Sequence, residues 1–394
     1  MADRIYILSI GSINAIGENI EQIRTNLSNS TSGLKLSNKY HLNSSFFITG
    51  EAILEERLTQ SFFEKNGIQS KNIILSDIAI QELLSPFDLD ELKQFQIGLV
   101  SSNTTGGIDL SELYFNGQEK YKNQLSGHDC GASTSFINKK YPIFNYNTTI
   151  NTACSSSANA ILLGSKMIKK DMLDMAVVGG VDTLTNFTIQ GFNALNIYDQ
   201  NICAPFDRDR NGLNLGEGAG YLLLASERIA NKYPHLILGE FLGGHNSNDA
   251  FHQTSSSPNA LGNTLAMQGA IANAKINKET IQYINAHGTA TQNNDLSESI
   301  AIKNTFGEHL PIINSTKSYT GHTLAAAGSI EAIICLLSMD QKTIFKSLNF
   351  HNSIEETNIV PNKNKIEDIN IQYCMSNSFG FGGNCTSLIF KSNN

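Results

Sequence analysis

One cysteine and two histidines stand in settings that suit covalent chemistry. Cys154 lies in NTACSSSANAILLGSKMIKK, residues 151–170, behind the β-branched run Thr148, Thr149 and Ile150. Ala160, Leu163 and Met167 follow at helical spacing, so the stretch reads as a buried strand, a sharp turn and a helix whose first turn carries the thiol. A helix start offers unpaired N–H groups and the positive end of the macrodipole, which shifts a thiol toward thiolate. Ala153, Ser155, Ser156 and Ser157 leave room for a substrate carbonyl. Taken alone, the same stretch also describes a buried structural cysteine.

The histidines repeat one device. The run IQYINA delivers His287, and Gly288 permits a tight turn into a polar loop with Thr289 and Thr291, ahead of a helix that contains Glu298. A second run, PIIN, ends at Ser315 and Thr316, with Lys317, Gly321 and His322 before an Ala/Gly/Ile-rich helix. A histidine at the C-terminal end of a buried strand sits at the sheet edge where ligands bind. Glu331 falls among apolar residues and needs a cationic partner, for which Lys317 is the nearest candidate. Each histidine alone also fits a satisfied structural role, but a thiol and two imidazoles placed alike form a recurring arrangement for acyl transfer. Near the C-terminus, NSFGFGG (377–383) interrupts two strands. Its backbone N–H groups offer an oxyanion site, and Phe379 or Phe381, set between Gly380, Gly382 and Gly383, suits a gate.

The elements that must position these groups follow from patterning. The 394 residues are 40% hydrophobic and 16% charged, with 31 glycines, an ordinary globular α/β composition. Strands are expected at 4–10, 96–100, 175–181, 236–241 and 281–286, with a loop at 11–17 and another at 243–253. Gly216, Gly218 and Gly220 space a strand against which another backbone can press. Asp207 with Arg208 or Arg210 reads as a solvated run or a buried pair. SSNTTGG (101–107) reads as a structural turn, and the neighbours His128 and Cys130 as packing or surface. One strand, turn and helix theme recurs after His235 with no Pro/Ser-rich linker, so the expectation is two fused halves, 1–234 and 235–394, in one globular unit.

The formal net charge of −8 and the lack of a basic stripe argue against nucleic-acid binding. No stretch approaches a membrane span, and the N-terminal apolar run is too short and too polar for a signal segment. Six scattered cysteines without a CxxC pair read as reduced thiols of a cytoplasmic protein.

In this setting TACSSS, PFDRDRNGLNLGEGAG, NAHGTATQNND, STKSYTGHTLAAAGSIEA and NSFGFGG resemble the successive signatures of β-ketoacyl-[acyl-carrier-protein] synthases of the elongating, Cys/His/His type. The resemblance implies a thiolase-like fold, two similar halves in a five-layered αβαβα sandwich. It also implies a dimer, either of like chains or with a second ketosynthase-like subunit. It places the nucleophile on Cys154, the catalytic histidines on His287 and His322, the lysine on Lys317, the buried glutamate on Glu331 and the gating phenylalanine on Phe381.

The chemistry so implied is decarboxylative Claisen condensation. Cys154 takes an acyl group from an acyl-carrier protein, with the N–H groups of Cys154 and Phe381 holding the oxyanion. Malonyl-carrier protein then loses carbon dioxide while His287 and His322 hold the enolate, and Lys317, paired with Glu331, holds His322. No metal or organic cofactor is required for the electron flow. Two other readings remain: a thiolase-type acyltransferase, with Cys385 as second cysteine, and a chain-length-factor-like partner subunit. The family commonly has Thr-Asn or His-Asn after the last glycine pair, where this chain has Asn384 and Cys385. The early SSNTTGG loop and the segment 126–135 also depart from the common fatty-acid enzymes. These departures bear on substrate and partner, and they favour a specialised polyketide or polyene pathway over primary fatty-acid elongation.

Overall fold

Ten strands frame the molecule in the computed structural model, which describes residues 4–42, 45–54, 56–67 and 69–393. They are β1 (Ile5–Asn14), β2 (Ile97–Ser102), β3 (Tyr146–Ile150), β4 (Met175–Asp182), β5 (Gly218–Ser226), β6 (Gly239–Asn248), β7 (Tyr283–Asn285), β8 (Ile312–Asn314), β9 (Tyr373–Phe379) and β10 (Asn384–Ser392). The first five lie in the order β1-β5-β4-β2-β3, and the second five repeat it as β6-β10-β9-β7-β8. Directions repeat too. In each set the first two pairings are antiparallel and the last two parallel. The sets meet where Ile5–Ile7 of β1 pair with Gly239–Phe241 of β6.

The central strands are apolar on both faces because helices cover both. MAVVGGVD of β4 and GAGYLLLAS of β5 are buried at every position, as strands between two helical layers must be. The helices that matter here are α1 (Lys71–Leu84), α2 (Ala132–Lys140), α3 (Ser156–Lys169), α4 (Asn186–Ala194), α5 (Leu261–Ala274), α6 (Gln292–Phe306) and α7 (Ala327–Asp340). Helices α3 and α7 touch each other and strands of both sets, so they form the middle layer. Helix α1, with α2 against it, covers the first set, and α5, with α6 against it, covers the second. The result is the five-layered αβαβα arrangement. Helix α7 is buried over all but its last residue, which explains why its sequence shows no polar face.

Several sequence expectations shift. Strand β1 continues through Asn14 because it pairs with β5 as far as Gly218, where a loop from Gly11 was expected. Strand β6 runs to Asn248, since β10 supplies partners for residues expected to be loop. A hairpin of residues 35–42 and 45–49 was not anticipated. The glycine-spaced segment does admit another backbone: a Cβ on Gly216 would stand 2.1 Å from the Thr320 carbonyl oxygen. Neither arginine pairs with the Asp207 carboxylate, which accepts instead from the N–H groups of Asp209, His351 and Asn352. Arg210 donates to the Asp207 carbonyl and lies 3.9 Å from Asp295. Among the described residues no helix is long and apolar enough to cross a membrane.

Candidate active site

The chain turns sharply between β3 and α3, and Cys154 sits at the turn. Ala153 takes a left-handed backbone, φ 53°, a conformation uncommon for a residue with a Cβ. The turn is held by Ser156, whose hydroxyl donates to the Ala153 carbonyl at 2.6 Å and accepts from Thr152 N–H at 2.8 Å. Helix α3 begins at Ser156 with Ser155 in the N-cap position, so Cys154 lies just before the helix and not in its first turn as expected. The thiol is 5% exposed. Burial pushes it up to about 11, while the Lys317 charge and the Phe381 backbone N–H pull it down. The expected shift toward thiolate is therefore reversed, because loss of water outweighs the favourable dipoles.

His287 and His322 follow β7 and the short helix at 317–320, 2% and 1% exposed. Their rings meet edge to face, centroids 5.3 Å apart at 87°. Cys154 Sγ and one ring nitrogen from each histidine all lie within 4.8 Å of one another. The backbone fixes both rings. Glu298 accepts from the N–H groups of His287 (2.9 Å) and Gly288 (2.8 Å). His322 N–H donates to Asn214 and its carbonyl accepts from Gly216.

Tautomers follow from hydrogen bonding. The Lys317 ammonium stands 3.2 Å from His287 Nδ1, and Leu324 N–H donates to His322 Nδ1 at 3.2 Å. Both Nδ1 atoms are acceptors, so each neutral ring carries its proton on Nε2. Burial, with the Lys317 charge beside it, holds both imidazoles well below the usual histidine range. Two neutral N–H donors result. Cysteine and histidine are common ligands of soft divalent metals, but in these tautomers Nε2 has no lone pair for a cation. The donor set fits an oxyanion better than a metal.

Lys317 is 2% exposed. Its ammonium donates to the Glu331 carboxylate and to the His287 carbonyl. The pair Lys317–Glu331 forms as expected, but the histidine that it holds is His287, not His322. Burial raises Glu331 to about 7 against the pull of Lys317, and burial raises Glu298 to about 7 as well.

The 377–383 loop closes over the cysteine. A Cβ on Gly380 would stand 2.9 Å from the Thr152 carbonyl oxygen and 3.0 Å from Cys154 N, which only glycine allows. Phe381 follows and stacks on Phe192 of α4, centroids 5.6 Å apart and 15° from parallel. Gly382 and Gly383 both take positive φ, turning the chain back into β10. Phe379 ends β9, its ring centroid 6.0 Å from that of His287 and the rings inclined at 61°. Two cavities meet at Cys154 and Phe381. One, of about 320 Å³, is lined by His287, His322, Phe379, Gly380, Gly383, Thr289 and Thr291 with several amide side chains. The Thr289 and Thr291 hydroxyls are 2.9 Å apart. The other, of about 450 Å³, is lined by Ile108, Phe187, Phe192, Leu195 and Leu324. Phe381, Cys154 and both histidines thus share one space, with a chamber of mixed polar and apolar lining on one side and a mainly apolar one on the other.

Comparison with known proteins decides the family. The sequence models "Beta-ketoacyl synthase, N-terminal domain" and "Beta-ketoacyl synthase, C-terminal domain" match residues 84–230 and 238–351. The chain belongs to the β-ketoacyl synthase family. A 3-oxoacyl-[acyl-carrier-protein] synthase 2 of Vibrio cholerae is 31% identical over 98% of this chain and 99% of its own length. One of Staphylococcus aureus is 39% identical over 61% of this chain, and that match spans 62% of the relative. Among solved structures, the ketosynthase ApeO in complex with its chain length factor ApeC from Xenorhabdus doucetiae matches with a TM-score of 0.86 and 31% identity, over 99% of this chain and 98% of that one.

Around this site, two groups given no role from the sequence, Glu298 and Asn384, complete the geometry. Glu298 was placed on its helix but given no role; its clue was a carboxylate about two helical turns past the His287 loop. The Asn384 side-chain oxygen accepts from Ser155 Oγ at 2.7 Å, Asn159 Nδ2 at 2.9 Å and Asn246 Nδ2 at 2.7 Å, joining the cysteine turn to β6 and β10. Cys385 points away: its thiol donates to Asn263 at 3.1 Å, and burial raises it to about 12.

Proposed function

We propose that this chain condenses an acyl group held on Cys154 with malonyl-acyl-carrier protein, giving β-ketoacyl-carrier protein and carbon dioxide. The observation that carries the reading is the meeting of one thiol and two neutral Nε2–H donors in a single cavity. Cys154 sulfur attacks the acyl thioester, the carrier's C–S bond breaks, and the Cys154 proton ends on the departing carrier thiol. The N–H groups of Cys154 and Phe381 face the carbonyl oxygen of that step. The malonyl group of malonyl-carrier protein then enters the chamber lined by His287 and His322, and its C–C bond to the carboxylate breaks. The electron pair is held as an enolate whose oxygen accepts from His287 and His322. The α-carbon attacks the Cys154 thioester, and the sulfur leaves. Lys317 raises the local positive potential and fixes His287, and Glu331 offsets its charge. The electrons come from the malonyl carboxylate, so the steps use no cofactor or metal.

The apolar chamber beyond Phe381 suits a fatty, polyketide or polyene acyl chain. We assign the carrier-loaded substrates and a dimeric state, either of like chains or with a chain-length-factor-like partner, as this chain's partners. The relative from Xenorhabdus doucetiae is found with such a factor. Cys154, His287 and His322 favour the active role over that of the factor itself, and the position of Cys385 removes the second cysteine that a thiolase needs. The repeated strand order supports a seam between halves at residues 234/235, and six free cysteines support a cytoplasmic setting. Intact-mass analysis with acyl-carrier protein tests the reading. An acyl adduct on the wild-type chain that is absent from Cys154→Ala, with malonyl-dependent product from wild type alone, is expected. Product from Cys154→Ala, or condensation without malonyl, sinks it.

A further inference from the structure

Asp182 is a fully buried carboxylate at the end of β4 that the condensing steps do not use. Its five partners are all N–H or O–H groups of neutral residues. One oxygen accepts from Thr104 N–H (3.0 Å), Thr105 N–H (3.0 Å) and the Thr105 hydroxyl (2.9 Å). The other accepts from the Thr104 hydroxyl (2.5 Å) and from Ala325 N–H (2.8 Å). A buried carboxylate is costly unless such donors satisfy it, and this one draws together two segments 220 residues apart in sequence.

Ala325 makes that grip consequential. The residue before it, Leu324, takes a left-handed backbone at φ 51°, and Leu324 N–H is the donor that keeps His322 Nδ1 an acceptor. Asp182 holds the peptide that follows Leu324 through Ala325 N–H, so it holds the turn that presents the Leu324 N–H. We propose that Asp182 is a positioning residue for His322: by anchoring Ala325 it keeps the left-handed turn at Leu324, and so keeps the His322 proton on Nε2, facing the enolate. The inference rests on the condensing reading. It assigns the two half-reactions different sensitivities, because Cys154 acylation does not use the His322 proton and malonyl decarboxylation does.

Asparagine at 182 separates the two grips. Its oxygen can keep the three donors of Thr104 and Thr105, and the Thr104 hydroxyl can rotate to accept from the new NH2 group. Ala325 N–H cannot reverse, and would face a donor. The test uses the full chain, reading Cys154 acylation by intact mass and carbon dioxide release from malonyl-carrier protein. Wild type must release carbon dioxide; if it does not, the condensing reading fails before any variant is compared. In Asp182→Asn, release is expected to fall at least about tenfold while acylation stays within about threefold of wild type. Asp182→Glu keeps acceptor oxygens for Ala325 N–H, displaced by one methylene; it is expected to lose less release than Asp182→Asn, with acylation again within about threefold of wild type, and serves if the asparagine variant does not fold. Adding Leu324→Gly to Asp182→Asn should restore part of the release, because glycine holds a positive φ without help. Equal losses in both half-reactions, no loss in either, or no recovery on adding Leu324→Gly overturns the proposal.

Discussion

Lys317 and Leu324 do the same thing to different histidines. The Lys317 ammonium stands 3.2 Å from Nδ1 of His287, and the Leu324 backbone N–H stands 3.2 Å from Nδ1 of His322. A charged side chain and a neutral peptide thereby fix one tautomer twice, leaving Nε2–H as the donor of each ring. Only the Lys317 contact also adds charge, so the two histidines differ in what their loss costs.

Lys317→Met keeps the length of the side chain and removes the ammonium. His287 is then free to move its proton to Nδ1, and Glu331 loses its cation. Carbon dioxide release from malonyl-carrier protein is expected to fall by about 10²- to 10³-fold, measured against an unchanged fold by circular dichroism. A loss of less than about threefold would show that Lys317 is not what orients His287.

The thiol itself has a pH signature. Thiolate is the species that is alkylated, and Cys154 is raised to about 11, so its reaction with iodoacetamide should climb about tenfold per pH unit from pH 7 to 10. Lys317→Met removes a charge that lowers the thiol and should slow the reaction further at each pH. A plateau beginning below pH 8 would contradict both statements.

Glu298 predicts a stability slope. Its folded value, about 7, lies above the ordinary 4.5, so between these values the folded chain binds more protons than the unfolded one. Stability must then fall as pH rises from about 4.5 to about 7, by up to about 3 kcal/mol from this group. Glu331, raised alike, adds to this slope, and His287 and His322, held below their usual range, oppose it, so the check is a difference: from pH 5.5 to 7.5 the change in melting temperature of Glu298→Gln should be more favourable to the folded chain than that of wild type. The same change in variant and wild type would rule Glu298 out as a source of the slope.

Gly380→Val places carbon against the Thr152 carbonyl and Cys154 N–H, where a Cβ meets them at 2.9 and 3.0 Å. Neither backbone atom can yield without moving the cysteine turn or Phe381. Acylation of Cys154, followed by intact mass, should drop at least tenfold, with about 1–3 kcal/mol of lost stability from overpacking. Wild-type acylation in this variant would mean that the loop does not bear on the nucleophile.

The residues that meet in the candidate site were largely legible in the sequence. Cys154, His287, His322, Lys317 and the glycine-rich loop were legible because each is short-range: a strand end, a turn residue and a reactive side chain lie within a few positions of one another. The two-half theme and the buried strands were legible for the same reason, since apolar runs and turn residues are local patterns. Tertiary structure decided what depends on partners distant in the chain. Strand β1 outruns its apolar run because β5 supplies its pairing as far as Asn14. Lys317 serves His287 rather than the nearer His322 because β7 and β8 lie side by side and bring residues 287 and 317 together. The Cys154 thiol rises instead of falling because the 377–383 loop and the surrounding layers remove its water, a cost that follows from burial and leaves no mark in the residues on either side of it.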